Sequence, residues 1–382
     1  MRVALVSPLP PASTGIAEYT VRLRQALELC AAESGAGFAF EAVDASLLDS
    51  ARAFDVRIYQ IGNNSLHAAA YHAALATPGI VVLHDAVLHH LLLGLLSEQQ
   101  YREEFVYNYG GWYRDIATDL WRERGHAMAD DRYFRYPLLR RIAEASRALI
   151  VHNPKAARLA REALRQSARE IAVVEIPHYV DVPGLPQAQE IASRRAELGI
   201  PPDAVVISCF GYMRPPKRLH SLHNALRRID VPCRVLIVGE FVSPGYEASL
   251  DGLLRDARVV RLPYVPEEEF WRLAALTDIC VNLRYPSVGE TSGVAMKLMA
   301  AGKPVLVTES EEYACFPDMA VVRIDSGEAE IEMLAHYLYA LATDPEMRAL
   351  IGGNAAEYVR EHHALEQVAA AYLEVIRGLV AS

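Results

Sequence analysis

Short β-branched runs alternate with longer stretches of helical spacing along this chain, and the alternation is made twice. The first set holds "RVALVSP" (2–8), "VRIYQIG" (56–62), "GIVVLHD" (79–85), "RALIVHN" (147–153) and "IAVVEIP" (171–177). The second holds "AVVISCFGY" (204–212), "CRVLIVGE" (233–240), "ARVVRLPYV" (257–265), "DICVNLRYP" (278–286), "KPVLVTE" (303–309) and "AVVRID" (320–325). Continuous apolar runs separated by helix-length segments are the pattern of parallel strands covered on both faces by crossover helices. Between the sets, residues 177–203 carry five prolines and two glycines around one short helical pattern, which suits a linker. A length of 382 residues also exceeds what one hydrophobic core organises. The expectation is an α/β chain of two doubly wound domains divided near residue 185. The closing segment, 344–380, reads as a helix, a break at Gly352-Gly353 and two further helical stretches.

Composition removes several function classes. A net charge of -10 argues against a nucleic-acid binder, whose affinity rests on clustered Lys and Arg. The five cysteines show neither CxxC nor metal-ligand spacing and read as buried free thiols in a reducing cytoplasm. "MRVALVSPLP" reads as a first strand rather than a leader, and "AVLHHLLLGLL" (86–96) as a buried helix too short to cross a bilayer. Neither first strand leads into GxGxxG, which disfavours a simple dinucleotide enzyme.

In doubly wound domains ligands bind past the carboxyl ends of the strands. The first strand runs into "SPLPPASTGIAEYT", where Gly15 either brings backbone close to a phosphate or sugar or simply shapes a proline-rich turn. The third ends at His84 and Asp85, where the imidazole either donates a hydrogen bond or relays a proton, or is a satisfied core histidine. His152 and Asn153 follow the fourth strand on the same side. Arg158, Arg161, Arg165 and Arg169 then recur down one helical face, a solvated stripe or an anion-facing one. The aromatic-rich stretch 99–137 is either an acceptor-side lid or a packed helical pair.

The second domain opens with "CFGYMRPPKRLHSLHNAL", in which Gly211 is followed by Arg214 and Lys217 just ahead of a helix. Two cations there suit a diphosphate. Tyr264 and Val265 end a later strand where backbone groups could meet a nucleobase, before an acidic run that also suits a capped helix start. "YPSVGETSGVAMKLMAAGKPVLV" then places Thr291, Ser292 and Gly293 at the first turn of a helix, where free N–H groups favour an anion. Glu290 at the loop tip can accept from sugar hydroxyls.

These segments resemble, in order and over nearly the whole length, the retaining glycosyltransferases of family 4. The last of them is the most specific. The resemblance implies the GT-B architecture: two facing Rossmann-like domains with a cleft between them, residues 366–382 crossing back to join 1–185, and 186–365 forming the donor domain. It implies a nucleotide-sugar donor, UDP- or GDP-linked, a glycan, lipid-linked or small-molecule acceptor, no metal, and retention at the anomeric carbon. By resemblance Gly15 approaches the donor, His84 lies near the reacting sugar, and Lys217 neutralises the diphosphate. The catalytic set is then His84, Glu290, Lys217 and Arg214. Gly15, Gly211, Tyr264, Val265, Thr291, Ser292, Gly293 and Lys297 make the donor set, and Asp85, His152 and Asn153 the acceptor side.

Two departures stand out. Aligned through "AAGKPV", the family's second Glu, which holds the ribose hydroxyls, is Lys297 here, and the residue eight past Glu290 is Leu298. Tyr212 stands where the family has Arg after the strand-end glycine. The "GETSG" form marks a subgroup. Lys297 also motivates a rival reading, a non-catalytic GT-B protein binding nucleotide or glycan in an assembly. A third is an epimerase or phosphorylase of the same architecture. A cytoplasmic place, with room for peripheral attachment at the inner membrane face, completes the expectation.

Overall fold

A computed structural model describes the chain except residues 13, 48–52, 129 and 382. It divides into two compact units, one of Met1–Tyr179, Ser287–Thr291 and the stretch from Leu365 onward, the other of Val180–Pro286 and Ser292–Ala364.

The first unit is built on a six-stranded parallel sheet of β1 (Arg2–Ser7), β2 (Ala39–Asp44), β3 (Val56–Ile61), β4 (Ile80–Leu83), β5 (Ala148–Val151) and β6 (Ala172–Glu175), in the order β2-β1-β3-β4-β5-β6. The neighbouring strands all pair in parallel, with Val3 opposite Val56 and Ile80 opposite Ala148. β2 is a strand the run pattern misses, because "AFEAVD" mixes Glu and Asp into a short half-exposed edge. The two faces of the sheet are covered separately. Tyr59, Leu83, Leu91, Phe105 and Leu149 belong to one apolar cluster, and Leu5, Leu23, Ile58, Ile150 and Tyr372 to the other. Helix Leu365–Ala381 packs on helix Gly15–Glu33, where the hydroxyls of Tyr19 and Tyr372 meet at 3.2 Å.

The second unit carries β7 (Val205–Phe210), β8 (Cys233–Val238), β9 (Val259–Leu262), β10 (Ile279–Asn282), β11 (Val305–Thr308) and β12 (Val322–Ile324), ordered β12-β11-β10-β7-β8-β9 and again parallel. In both sheets the strand order reverses beside the first strand, between β1 and β3 and between β7 and β10. Crossovers diverge at these points and open a crevice at the strand ends.

Two sequence readings need correcting. Gly352-Gly353 does not break a helix, since Pro345–His362 runs through it unbroken. A side chain at Gly352 would overlap the carbonyl of Gly302, so the glycine serves the close approach of helix Pro345–His362 to the turn after helix Gly293–Ala300. The arginine stripe is also shorter than expected, because helix Pro154–Ala163 ends before Arg165 and Arg169. Arg158 pairs with Glu162 at 3.2 Å, a half-exposed i,i+4 pair of the solvated kind. The aromatic stretch 99–137 is a packed helical group, with Tyr101, Phe105 and Tyr133 buried and Trp112 at its tip 98% exposed.

Candidate functional site

The second unit concentrates positive charge at its reversal point. β7 ends at Phe210, and Gly211 turns the chain with φ +95°, a conformation that favours glycine. The Gly239 turn comes so near the Gly211 carbonyl that a Cβ at Gly239 would overlap it. After Arg214, a single turn over Pro215–Lys217 carries the lysine back toward the sheet. Its Nζ donates to the Phe210 carbonyl at 2.5 Å, and the residue is only 5% exposed. Burial, partly offset by Cys209 and then reinforced by Arg284 and Arg214, pulls the Lys217 pKa down to about 8.

The neighbouring strand supplies the other half of this cluster. Past β10, Arg284 donates through a guanidinium nitrogen to Ser292 Oγ at 2.9 Å, and Asn282 Nδ2 donates to the same oxygen at 3.0 Å. Ser292 is the N-cap of helix Gly293–Ala300, accepting from Ala295 N at 3.2 Å. Helix N–H groups at Gly293 therefore face the same strand ends as three cations, Arg214, Lys217 and Arg284. Such a set binds a multiply charged phosphate group. Arg284 and Asn282 escaped the sequence reading. A polar residue closing an apolar strand was the available signal.

Lys297 is committed elsewhere. Its Nζ lies 2.5 Å from Glu267 Oε1, over the rings of Phe270 (5.3 Å) and Trp271 (5.9 Å). Glu267 opens helix Glu267–Leu276 after Tyr264, which is 71% exposed, while Val265 packs into the core of the unit.

In the first unit the loop Ser287–Thr291 is fixed by strand ends. The Val288 carbonyl accepts from Ala86 N and Val87 N, both at 2.9 Å. Asn153 Oδ1 caps helix Pro154–Ala163 through Ala156 N at 2.9 Å, and its Nδ2 donates to the Gly289 carbonyl (3.0 Å) and Thr291 Oγ1 (3.1 Å). Thr291 in turn donates to the His152 carbonyl at 3.3 Å. Glu290, 9% exposed, holds the loop from inside, accepting at Oε2 from Val288 N (3.0 Å) and Ser287 Oγ (3.2 Å). Asn153, Thr291 and Glu290 thus build a loop as well as lying at one.

Beside that loop sits a histidine cluster. His84 and His152 rings lie 4.9 Å apart, His152 and His178 rings 5.6 Å, and Tyr19 stands edge-on to His84 at 4.8 Å. His84 Nε2 lies 2.6 Å from Gln60 Oε1, and His152 Nδ1 donates to the Ile176 carbonyl at 2.9 Å. Burial, then the neighbouring His152, His178 and His67, hold the His84 pKa well below the usual imidazole range. His84 is neutral at physiological pH. Gln60, Tyr19 and His178 went unnoticed in the sequence, because Gln60 and Tyr19 sit in runs that read as strand and helix and His178 in the stretch that reads as linker. Asp85 Oδ2 accepts from Asn63 N at 2.6 Å, bracing the turn after β3. Gly15 begins its helix with Thr14 as N-cap, and a Cβ there would meet no atom within 4 Å. His89, with Tyr101 OH at 2.7 Å and the Tyr136 carbonyl at 3.0 Å, is a satisfied core histidine. Among the described residues no group of three or more His, Cys, Asp or Glu could hold a metal, and no helix is long and apolar enough to cross a membrane.

Residues 217–374 match a family model described as glycosyl transferase-like. A search of curated proteins finds no match. Among solved structures, sucrose-phosphate synthase from Thermosynechococcus elongatus superposes with a TM-score of 0.70 at 16% identity, covering 100% of this chain and 99% of that one. Anabaena HepE in complex with UDP and glucose gives 0.70 at 14% identity, covering 99% and 100%. WaaG, a glycosyltransferase involved in lipopolysaccharide biosynthesis, gives 0.62 at 15% identity, covering 98% and 100%. These likenesses establish the fold as GT-B.

Proposed function

We propose that the chain is a nucleotide-sugar-dependent glycosyltransferase that moves a sugar to a hydroxyl of a glycan or lipid-linked acceptor with retention and without a metal. One observation carries the reading. Arg214, Lys217, Arg284 and the helix start capped by Ser292 surround the reversal point of the second sheet, inside or beside the stretch that matches the glycosyl transferase-like model. UDP bound to Anabaena HepE, a protein of the same fold, supports the same class of ligand.

The chemistry follows from charge. Breaking the bond between the anomeric carbon and the phosphate oxygen leaves negative charge on the diphosphate and positive charge on the sugar ring. Preorganised cations and helix N–H groups at the phosphate stabilise that state more than the intact donor. The acceptor oxygen then bonds to the anomeric carbon from the departing side, and its proton passes to the leaving phosphate. No carboxylate base is required on this path, and neutral His84 serves as a hydrogen-bonding group to the sugar. Acceptor contact falls to the His84, Asp85 and His152 side of the first unit, at a peripheral site on the inner membrane face when the acceptor is lipid-linked.

The test is nucleoside diphosphate release from UDP-, GDP- and ADP-sugars in the presence of chelator, with the product anomer read by NMR. Release that needs metal, or an inverted product, would remove that part of the proposal. Binding of a nucleotide with no turnover on any sugar would favour a non-catalytic role.

A further inference from the structure

Gln60 is a wholly buried amide in the middle of an apolar parallel sheet, opposite Val82 of β4. Burying such a group is costly unless its hydrogen bonds are satisfied. Its backbone carbonyl accepts from His67 Nδ1 at 3.0 Å, while its side-chain Oε1 meets His84 Nε2 at 2.6 Å. His84 follows β4 directly, and its own N–H donates to the Ile61 carbonyl at 2.9 Å. Backbone and side chain of His84 are therefore both tied to β3.

We infer that Gln60 is a positioning residue for His84: its Oε1 accepts the Nε2 proton, fixes the ring, and leaves Nδ1 as a hydrogen-bond acceptor for a hydroxyl of the bound sugar. The sugar in that statement rests on the transferase reading; the tautomer does not. Three features of the site support it. The Nδ1 atom makes no hydrogen bond among the described residues. The titratable groups around the ring are His152 from the end of β5, His178 after β6, His67 after β3 and Tyr19 from helix Gly15–Glu33, and none carries a negative charge at neutral pH. An amide at position 60 orients the imidazole without charging it, whereas a carboxylate would favour imidazolium. The Gln60 amide nitrogen, fully enclosed, has no hydrogen-bond partner among the described residues, which marks it as a donor for an ordered water.

Nitrogen NMR of the protein labelled at histidine tests this, with His84 identified by comparison with His84→Asn. In the wild-type protein His84 is expected as the neutral tautomer protonated at Nε2 throughout about pH 6 to 8. Gln60→Glu, nearly the same shape, is expected to convert His84 to the imidazolium near neutral pH, and Gln60→Ala to give both neutral tautomers. A wild-type proton on Nδ1, or spectra unmoved by either substitution, would overturn the proposal. If Gln60→Glu fails to fold, Gln60→Ala decides alone by the same signals. A transfer assay adds that Gln60→Ala lowers kcat more than it raises KM. Since the spectra need no donor, failure of the transferase reading shows separately, as absence of nucleotide binding.

Discussion

Asn153 Nδ2 lies 3.0 Å from the carbonyl oxygen of Gly289, a residue 136 positions further along the chain. With its Oδ1 capping the next helix and its second donor contact on Thr291 Oγ1, one side chain fixes both a helix start and a distant loop. Asn153→Ala should therefore cost roughly 2–4 kcal/mol, from a lost cap and two hydrogen bonds. Asn153→Asp keeps the cap but sets a buried carboxylate oxygen against the Gly289 carbonyl, so it should cost at least as much as the alanine. Urea unfolding measures both, and a loss below about 0.5 kcal/mol, the level of an indifferent surface change, would contradict the arrangement.

Gly289 gives a second check on the same loop. Its φ is +75°, and a Cβ there would stand 2.9 Å from Ala86 Cβ. Gly289→Ala should destabilise the protein by roughly 1–3 kcal/mol through backbone strain and crowding. An unchanged melting temperature would mean that the loop is not seated on Ala86.

Lys217 and Lys297 should behave differently toward nucleotide. Lys217 is buried among other cations with no carboxylate partner among the described residues, so Lys217→Ala should weaken binding of a nucleoside diphosphate by roughly 10- to 100-fold, the worth of a charge-assisted contact. Its pKa of about 8 adds a sign: the charged form binds, so affinity should hold below pH 8 and fall as pH rises through it. Lys297 is paired with Glu267, and Lys297→Ala should change affinity by less than about threefold and stability by at most about 1 kcal/mol, as for other half-exposed pairs. Calorimetric titrations at several pH values check all three statements. Equal effects of the two substitutions would show that the pair opens for the ligand.

Doubly wound architecture was legible because parallel strands buried on both faces appear as uninterrupted apolar runs, and because Gly211, Gly302 and the Ser292 cap punctuate them. The positions that escaped have a common cause. Gln60, Asn282 and Arg284 gain meaning from what lies beside them in the sheet, which spacing along the chain does not encode. Lys297 carried the same limit: it entered the donor set by its place in the aligned motif, and its contact with Glu267 is not encoded along the chain. The Gly352-Gly353 pair was misread because a helix tolerates glycine where another backbone must come close.

Acid should unfold the protein through its buried histidines. Burial lowers His67 to about 4 and His89 to about 3, and holds His84 well below its usual range. The folded state keeps these rings neutral while the unfolded chain protonates them near pH 6.5, so their stabilising effect is complete above that pH and is lost as pH falls below it. Each contributes a slope of up to about 1.4 kcal/mol per pH unit. Urea unfolding between pH 7.5 and pH 5, a window chosen above the carboxylate range of about 4, should show the decline, and His67→Gln should flatten it by about one such slope. A flat profile in the wild-type protein would contradict the burial of these rings.

The most direct test of nucleotide-sugar chemistry is release of nucleoside diphosphate from a panel of UDP-, GDP- and ADP-sugars in chelator, with a mixed pool of glycan and lipid-linked hydroxyl acceptors, comparing the wild-type protein with Lys217→Ala. Release from one nucleotide class is expected, at least about tenfold reduced in Lys217→Ala, in line with one lost charge-assisted contact. Neither release nor binding of any nucleotide by the wild-type protein would contradict that chemistry.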